Sequence, residues 1–178
     1  MKGVFKFLIA AAVFAGVAVS DSTSFKVHVI GDSTVCNYKD SAYPQTGWGQ
    51  ILGSFFDGSR VQVVNYAIGG RSSKTFVQEG RLDEVKKNLQ KGDIMMVQFG
   101  HNDRYFGSKP REVPFDSLGY WLQQYADVAK GAGVTLVYVT PMNMNMGANG
   151  RNIFTEYNVV GKMEELAKKN GAVYVNLN

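Results

Sequence analysis

Three short segments of this sequence carry residue types that can do ester chemistry. Ser33 sits in Gly31-Asp32-Ser33-Thr34. Gly70 sits in Ala67-Ile68-Gly69-Gly70-Arg71-Ser72, and Asn102 in Gly100-His101-Asn102-Asp103. A serine hydroxyl attacks a carbonyl carbon once a base takes its proton. A glycine tolerates positive φ and lets a backbone N–H come close to a ligand. A side-chain amide stabilises a developing oxyanion without having to be charged, and losing one such donor typically costs about 3–4 kcal/mol of transition-state stabilisation. Nucleophile, backbone donor and amide donor are most of an ester-hydrolysing site. Each segment taken singly also reads as a turn, because Gly, Ser, Asn and Asp are favoured there. Lys74-Thr75 after the glycine pair suggests a phosphate-binding loop, but that motif needs Gly where Ser73 stands.

Each segment follows an apolar run that reads as a β-strand. Five strands are predicted, at Phe25 to Ile30, Val61 to Ala67, Asp93 to Phe99, Val134 to Val139 and Ala172 to Leu177. Four helices alternate with them, at Trp48 to Phe56, Thr75 to Leu89, Phe115 to Ala129 and Ile153 to Lys169. The run Ile94-Met95-Met96-Val97 suits a strand buried on both faces. Strict strand–helix alternation predicts a parallel sheet with helices on both sides. Ligands bind such sheets at the carboxyl ends of the strands, which is where all three segments fall. With strand order 2-1-3 the three loops are neighbours, roughly 4.8 Å apart. No repeat, low-complexity tract or domain linker interrupts the chain.

The chain has 178 residues, one domain or part of one. Residues 1–20 read as a secretory signal: Lys2 and Lys6 precede an apolar stretch from Phe7 to Val19, and Ala18-Val19-Ser20 places the cut before Asp21. The domain then runs 21–178, secreted or periplasmic and free of the membrane once the signal is removed. Taking Lys2 and Lys6 from 19 basic residues leaves 17 against 15 acidic, a balance of +2. That is too weak to argue for nucleic acid or an anionic membrane. Cys36 is the only cysteine; it has no internal partner and is expected to be a small buried hydrophobe. The two histidines have no spaced partners, so no metal site is expected.

These motifs, in this order, resemble those of the SGNH (GDSL-type) hydrolases. Within that superfamily the chain is most similar to rhamnogalacturonan acetylesterase-like carbohydrate esterases, through Gly31 to Thr34, Gly47-Trp48-Gly49, Ala67 to Ser72, Glu79-Gly80-Arg81 and Phe99 to Asp103. The likeness runs from about Val29 to the end. It implies a three-layer α/β/α flavodoxin-like sandwich with a five-stranded parallel sheet of order 2-1-3-4-5. It implies a serine acyl-enzyme mechanism: Ser33 attacks, the N–H groups of Ser33 and Gly70 and the Asn102 amide hold the oxyanion, and no cofactor is used. The implied substrate is an acetylated plant cell-wall polysaccharide, pectin rhamnogalacturonan or xylan.

The match breaks at the base. The family draws its histidine and orienting acid from a late Asp-x-x-His block, which this sequence does not contain. His28 lies five residues before Ser33, about 16 Å away at roughly 3.3 Å per strand residue, too far for proton transfer. His101 adjoins Asn102, where the family has a histidine that is not its base. The expectation is a C-terminally incomplete domain that lacks its last helix and by itself hydrolyses esters weakly. Two alternatives remain: a lipase or thioesterase on the same fold, against which the polar Asn143, Asn145, Asn149 and Asn152 argue, and a non-catalytic carbohydrate-binding relative. Trp48, Tyr105 and Phe106 are candidates to stack on sugar rings or to anchor loops. Arg71 is a candidate substrate contact or a salt bridge within its loop.

Overall fold

Alternating apolar residues in the strands produce two separate cores, one on each side of a single sheet. In the computed structural model, residues 24–104, 107, 109–143 and 157–178 are described. The expected signal, Tyr105, Phe106, Asn145, Asn149, Asn152 and the start of the fourth expected helix lie outside them. The strands are β1 (Phe25–Gly31), β2 (Val61–Asn65), β3 (Ile94–Gln98), β4 (Thr135–Val139) and β5 (Val173–Val175). They form a parallel sheet in the order β2-β1-β3-β4-β5, as expected.

The helices are α1 (Trp48–Ile51, continued by a 3-10 turn, Leu52–Phe55), α2 (Ser73–Gln78), α3 (Arg81–Asn88), α4 (Phe115–Ala132) and α5 (Val159–Asn170). Ile30, Met95, Val97, Leu136 and Tyr138 point to one face and pack with Phe76, Val85, Leu122 and Met163 of α2 to α5. Val27, Val29, Ile94, Met96, Val137 and Val139 point to the other, where Trp48, Leu52 and Phe56 cover them. The two faces make an α/β/α sandwich. No helix among the described residues is long and apolar enough to cross a membrane.

The structure corrects two expected elements. Thr75 to Leu89 is two helices: Gly80 adopts φ 72°, a left-handed conformation that suits glycine, and the chain turns before α3. A capping box between Ser72 and Thr75 starts α2 two residues earlier than its apolar pattern does. In the first expected helix, Ile51 and Phe55 are exposed, while Leu52 and Phe56 do the packing. That segment tightens to a 3-10 turn, which shifts the buried stripe.

At the end of the sheet remote from the three loops, Asp93 ties strand entry together. Its Oδ1 accepts the Lys26 N–H (2.9 Å). Its Oδ2 accepts the Gln90 N–H (3.0 Å) and lies 2.9 Å from Nε2 of His28, which is fully buried and stacked on Tyr66. The only described histidine besides His101 is thus a structural part of β1. Without the Asp93 carboxyl the Lys26 and Gln90 N–H groups and the His28 ring lose their shared partner, and each buried polar group so stranded costs about 1–3 kcal/mol. Asp93→Ala is therefore expected to lower unfolding free energy by at least that amount, measured by urea denaturation followed by far-UV dichroism.

Candidate active site

Parallel pairing carries the first two loops to one place. Beyond the ladder the Tyr66 N–H still donates to Val29 O (2.8 Å) and the Ile68 N–H to Gly31 O (3.0 Å), so the loop after β2 runs alongside the loop after β1. Ser33, half-buried, opens a tight turn in which Asp32 O accepts from the Val35 and Cys36 N–H groups. The buried Asp32 side chain closes that turn, its Oδ1 accepting from the Thr34 N–H and hydroxyl, both at 2.9 Å. Tyr38 donates its hydroxyl to Ser33 O at 2.7 Å. A Cβ on Gly69 would stand 3.6 Å from Ser33 Cβ, which is how closely the glycine pair passes the serine. Gly70 has φ 80° and open space where a Cβ would be.

The third loop is locked to the second. Asn102 Nδ2 donates to Arg71 O at 3.0 Å, with Asp32 Oδ2 at a longer 3.4 Å. The neighbouring Asp103 is fully buried. Its Oδ1 accepts from the N–H (3.0 Å) and hydroxyl of Ser73, and its Oδ2 from the Gly100 N–H (3.1 Å). Burial pushes the Asp103 carboxyl up to about 6, opposed by the Ser73 and Gly100 donors and aided by the charge of Asp32. Tyr125 supports the same anchor by donating to Ser73 O (2.8 Å), and its own hydroxyl is raised well above the usual tyrosine range, first by burial and then by the charge of Asp103.

Gly47 and Gly49 let α1 press against the turn that holds Ser33. A Cβ at Gly47 would collide with Cys36 O, and one at Gly49 with Val35 O. Trp48 between them donates its indole N–H to Gln98 Oε1 (2.6 Å), and Gln98 Nε2 donates to Thr140 O (2.7 Å). Trp48 is thereby anchored to β3, and its half-buried ring packs against the core on that face of the sheet. Cys36 is buried beneath the turn, as expected.

The structure thus places Ser33, Gly70 and Asn102 on one edge. Neither histidine is brought to the Ser33 hydroxyl as a base. His28 is committed to Asp93. A carbonyl can only accept, so the His101 ring donates from Nε2 to Met142 O (2.8 Å), while Nδ1 lies 3.7 Å from Asp32 Oδ2. Among the described residues no group of His, Cys, Asp and Glu is arranged to hold a metal. Sequence reading gave no role to Asp103, Gln98 or Tyr38. A polar residue closing an apolar strand was the available signal for Gln98, and the repeat of polar residues after Gly100 was the signal for Asp103.

Residues 27–178 match the GDSL-like lipase/acylhydrolase family. The chain is 37% identical over 146 residues to the rhamnogalacturonan acetylesterase RhgT of Bacillus subtilis, covering 81% of this chain and 61% of that protein. It is 40% identical over 139 residues to the probable rhamnogalacturonan acetylesterase YesY of the same organism, covering 76% and 63%. It therefore spans less than two thirds of the length of these relatives. The crystal structure of YxiM from Bacillus subtilis superposes with a TM-score of 0.72 at 28% identity, over 88% of this chain and 44% of that one. The acetylxylan esterase Axe2 of Geobacillus stearothermophilus shares the fold at 16% identity, with a TM-score of 0.62 over 85% and 75%. With the family match running from within β1 through the other four strands and all three loops, the chain belongs to the GDSL-like lipase/acylhydrolases.

Proposed function

We propose that this protein is an exported carbohydrate O-acetyl esterase that works through a serine acyl-enzyme. The observation that carries the reading is the Asn102–Arg71 hydrogen bond, which holds the amide of the third loop against the second loop, the loop that passes close to Ser33 at Gly69. Ser33 Oγ attacks the acetyl carbonyl. The oxyanion is received by the N–H groups of Ser33 and Gly70 and by the Asn102 amide. The sugar hydroxyl leaves, and water then releases acetate from the serine. We assign the proton acceptor to neither His28 nor His101, because each ring is engaged elsewhere. The similarity to two rhamnogalacturonan acetylesterases supports an acetylated polysaccharide as substrate. Export rests on the signal at 1–20, and the mature chain is expected to begin at Asp21.

Kinetics of the native gene product on acetylated pectic and xylan oligosaccharides test the reading. Ser33→Ala is expected to lower kcat/KM at least about 10³-fold, and Asn102→Ala about 10²- to 10³-fold, mostly in kcat. His101→Ala should cost less than about ten-fold, since a general base contributes 10²–10⁴. A larger loss would make His101 the base after all. Faster turnover of long-chain acyl esters than of acetyl esters would favour a lipase. Polysaccharide binding without any ester turnover would favour a binding relative.

Asp103 gives a pH signature. Its carboxyl is raised from 3.8 to about 6 on folding. Between those values the folded chain holds a proton that the unfolded chain has released, so stability falls as pH rises through that window. The expected slope is roughly 1.4 kcal/mol per pH unit at its steepest. Asp103→Asn should flatten it between about pH 4 and 6, which urea unfolding at stepped pH would read directly.

A further inference from the structure

A cleft of about 330 Å³ opens beside the second loop, walled by Gly70, Arg71, Thr75 and Glu79 on one side and by Lys109, Pro110 and Arg111 on the other. Resting on the esterase reading above, we propose that this cleft binds the carboxylate of a uronic-acid residue in the polysaccharide being deacetylated, with Lys109 and Arg111 as specificity-determining residues.

Charge is the first reason. Among the described lining residues three cations face one acid, Glu79. That acid is already spent: its Oε2 accepts from Arg71 Nε (3.1 Å) and from Arg81 Nε. The carboxyl of Glu79 is accordingly held below the usual range, chiefly by the hydrogen bond from Arg81, with burial opposing and Arg71 adding to the lowering. The positive field of Arg111 also reaches Arg104, whose guanidinium is held below its ordinary value first by burial and then by that charge. Cations gathered in a concave site without enough carboxylate favour an anionic guest.

Construction is the second reason. The far wall is a fixed turn: the Glu112 N–H donates to Lys109 O (3.0 Å), Lys74 Nζ donates to Glu112 O (2.7 Å), and the Val113 N–H donates to Asp103 O (2.8 Å). The near wall is fixed as well, since Arg71 also donates from Nη1 to Gly69 O (3.0 Å). A guanidinium has five N–H donors in a planar fork that suits a carboxylate, and only some are used here.

Position is the third reason. Gly70 is a proposed oxyanion donor and also a wall of the cleft. Arg71 receives Asn102 on its carbonyl and lines the cleft with its side chain. A sugar acetyl at Ser33 and a uronate in the cleft would therefore be adjacent parts of one chain. Neutral acetylated xylan has no such group to offer.

The test compares the native gene product with its Lys109→Gln/Arg111→Gln variant, on acetylated galacturonate-containing oligosaccharides and on acetylated xylotriose. The expected result is that the variant lowers the acidic-to-neutral ratio of kcat/KM by about ten-fold or more, through KM, as loss of charge-assisted hydrogen bonds predicts. Raising salt from about 50 to 500 mM should lower the wild-type ratio and leave the variant's ratio unmoved. A ratio the variant does not change overturns the proposal. If the wild type hydrolyses neither substrate, the esterase reading fails, and calorimetry with trigalacturonate then decides the cleft. Salt-sensitive binding that the variant weakens sustains it, and no difference between the two proteins overturns it.

Discussion

The buried carboxylate of Asp103 is the constraint on which the arrangement of the three loops depends. It takes both donors of Ser73 and the Gly100 N–H, and so joins the start of α2 to the turn after β3. Asn102 is one residue away, and its amide reaches the Arg71 carbonyl two residues before Ser73. The third loop is thus fastened twice to the second within a few residues. A buried charge is costly unless it is hydrogen-bonded, and three donors make this one tolerable. The same donors limit where Asn102 can go. A proposed oxyanion donor needs that rigidity, because preorganised dipoles help only when they need not reorient during reaction.

The first loop is held differently. Its fixed points are the Asp32 carboxylate beneath Thr34, the Tyr38 hydroxyl on Ser33 O and the two glycines that let α1 lie against Val35 and Cys36. Backbone atoms are the contact surface there, so a side chain at position 47 or 49 has nowhere to go. The Trp48–Gln98–Thr140 chain of hydrogen bonds then links α1 through β3 to the end of β4. Polar groups so deep in an α/β sheet need every partner in place. Gln98 meets that demand by accepting from the indole and donating to a carbonyl.

Much of this was legible from residue order. Apolar alternation in Phe25 to Ile30 and the unbroken run Ile94 to Val97 gave β1 and β3 nearly to the residue, because a strand buried on both faces leaves little compositional freedom. The position of Ser33, Gly70 and Asn102 on one edge followed from strand order. What was not legible were features set by tertiary contact. Helix periodicity continues across Gly80 because Phe76, Leu82 and Val85 share one core, although the backbone turns there. The stripe Ile51 and Phe55 looked inward by spacing, yet both are exposed, and the 3-10 turn that follows Ile51 brings Phe56 rather than Phe55 to the core. Trp48 was a candidate both to stack on sugar and to anchor a loop, and only its hydrogen bond to Gln98 shows what it anchors to. The role of Asp103 requires knowing that Ser73, thirty residues earlier, lies beneath it.

Arg71 shows how the proposed catalysis and the proposed specificity would be separable on this scaffold. Its carbonyl belongs to the proposed oxyanion machinery and its guanidinium to the cleft wall, with the Glu79 pair fixing the side chain. The backbone half is insensitive to side-chain identity, whereas the cleft half depends on it. The opposite wall is supplied by the segment between β3 and α4, whose return is pinned by Lys74 and by Tyr157, which donates to Val113 O at 2.7 Å. Loops can vary over such pinned ends at little cost to the sheet. Charge along Lys109 to Arg111 can therefore change without disturbing Ser33, Gly70 or Asn102. On the proposed reading, a chain with neutral residues there would keep the same acyl chemistry and lose its preference for acidic sugars, so the substrate is set by the rim and the reaction by the strand ends.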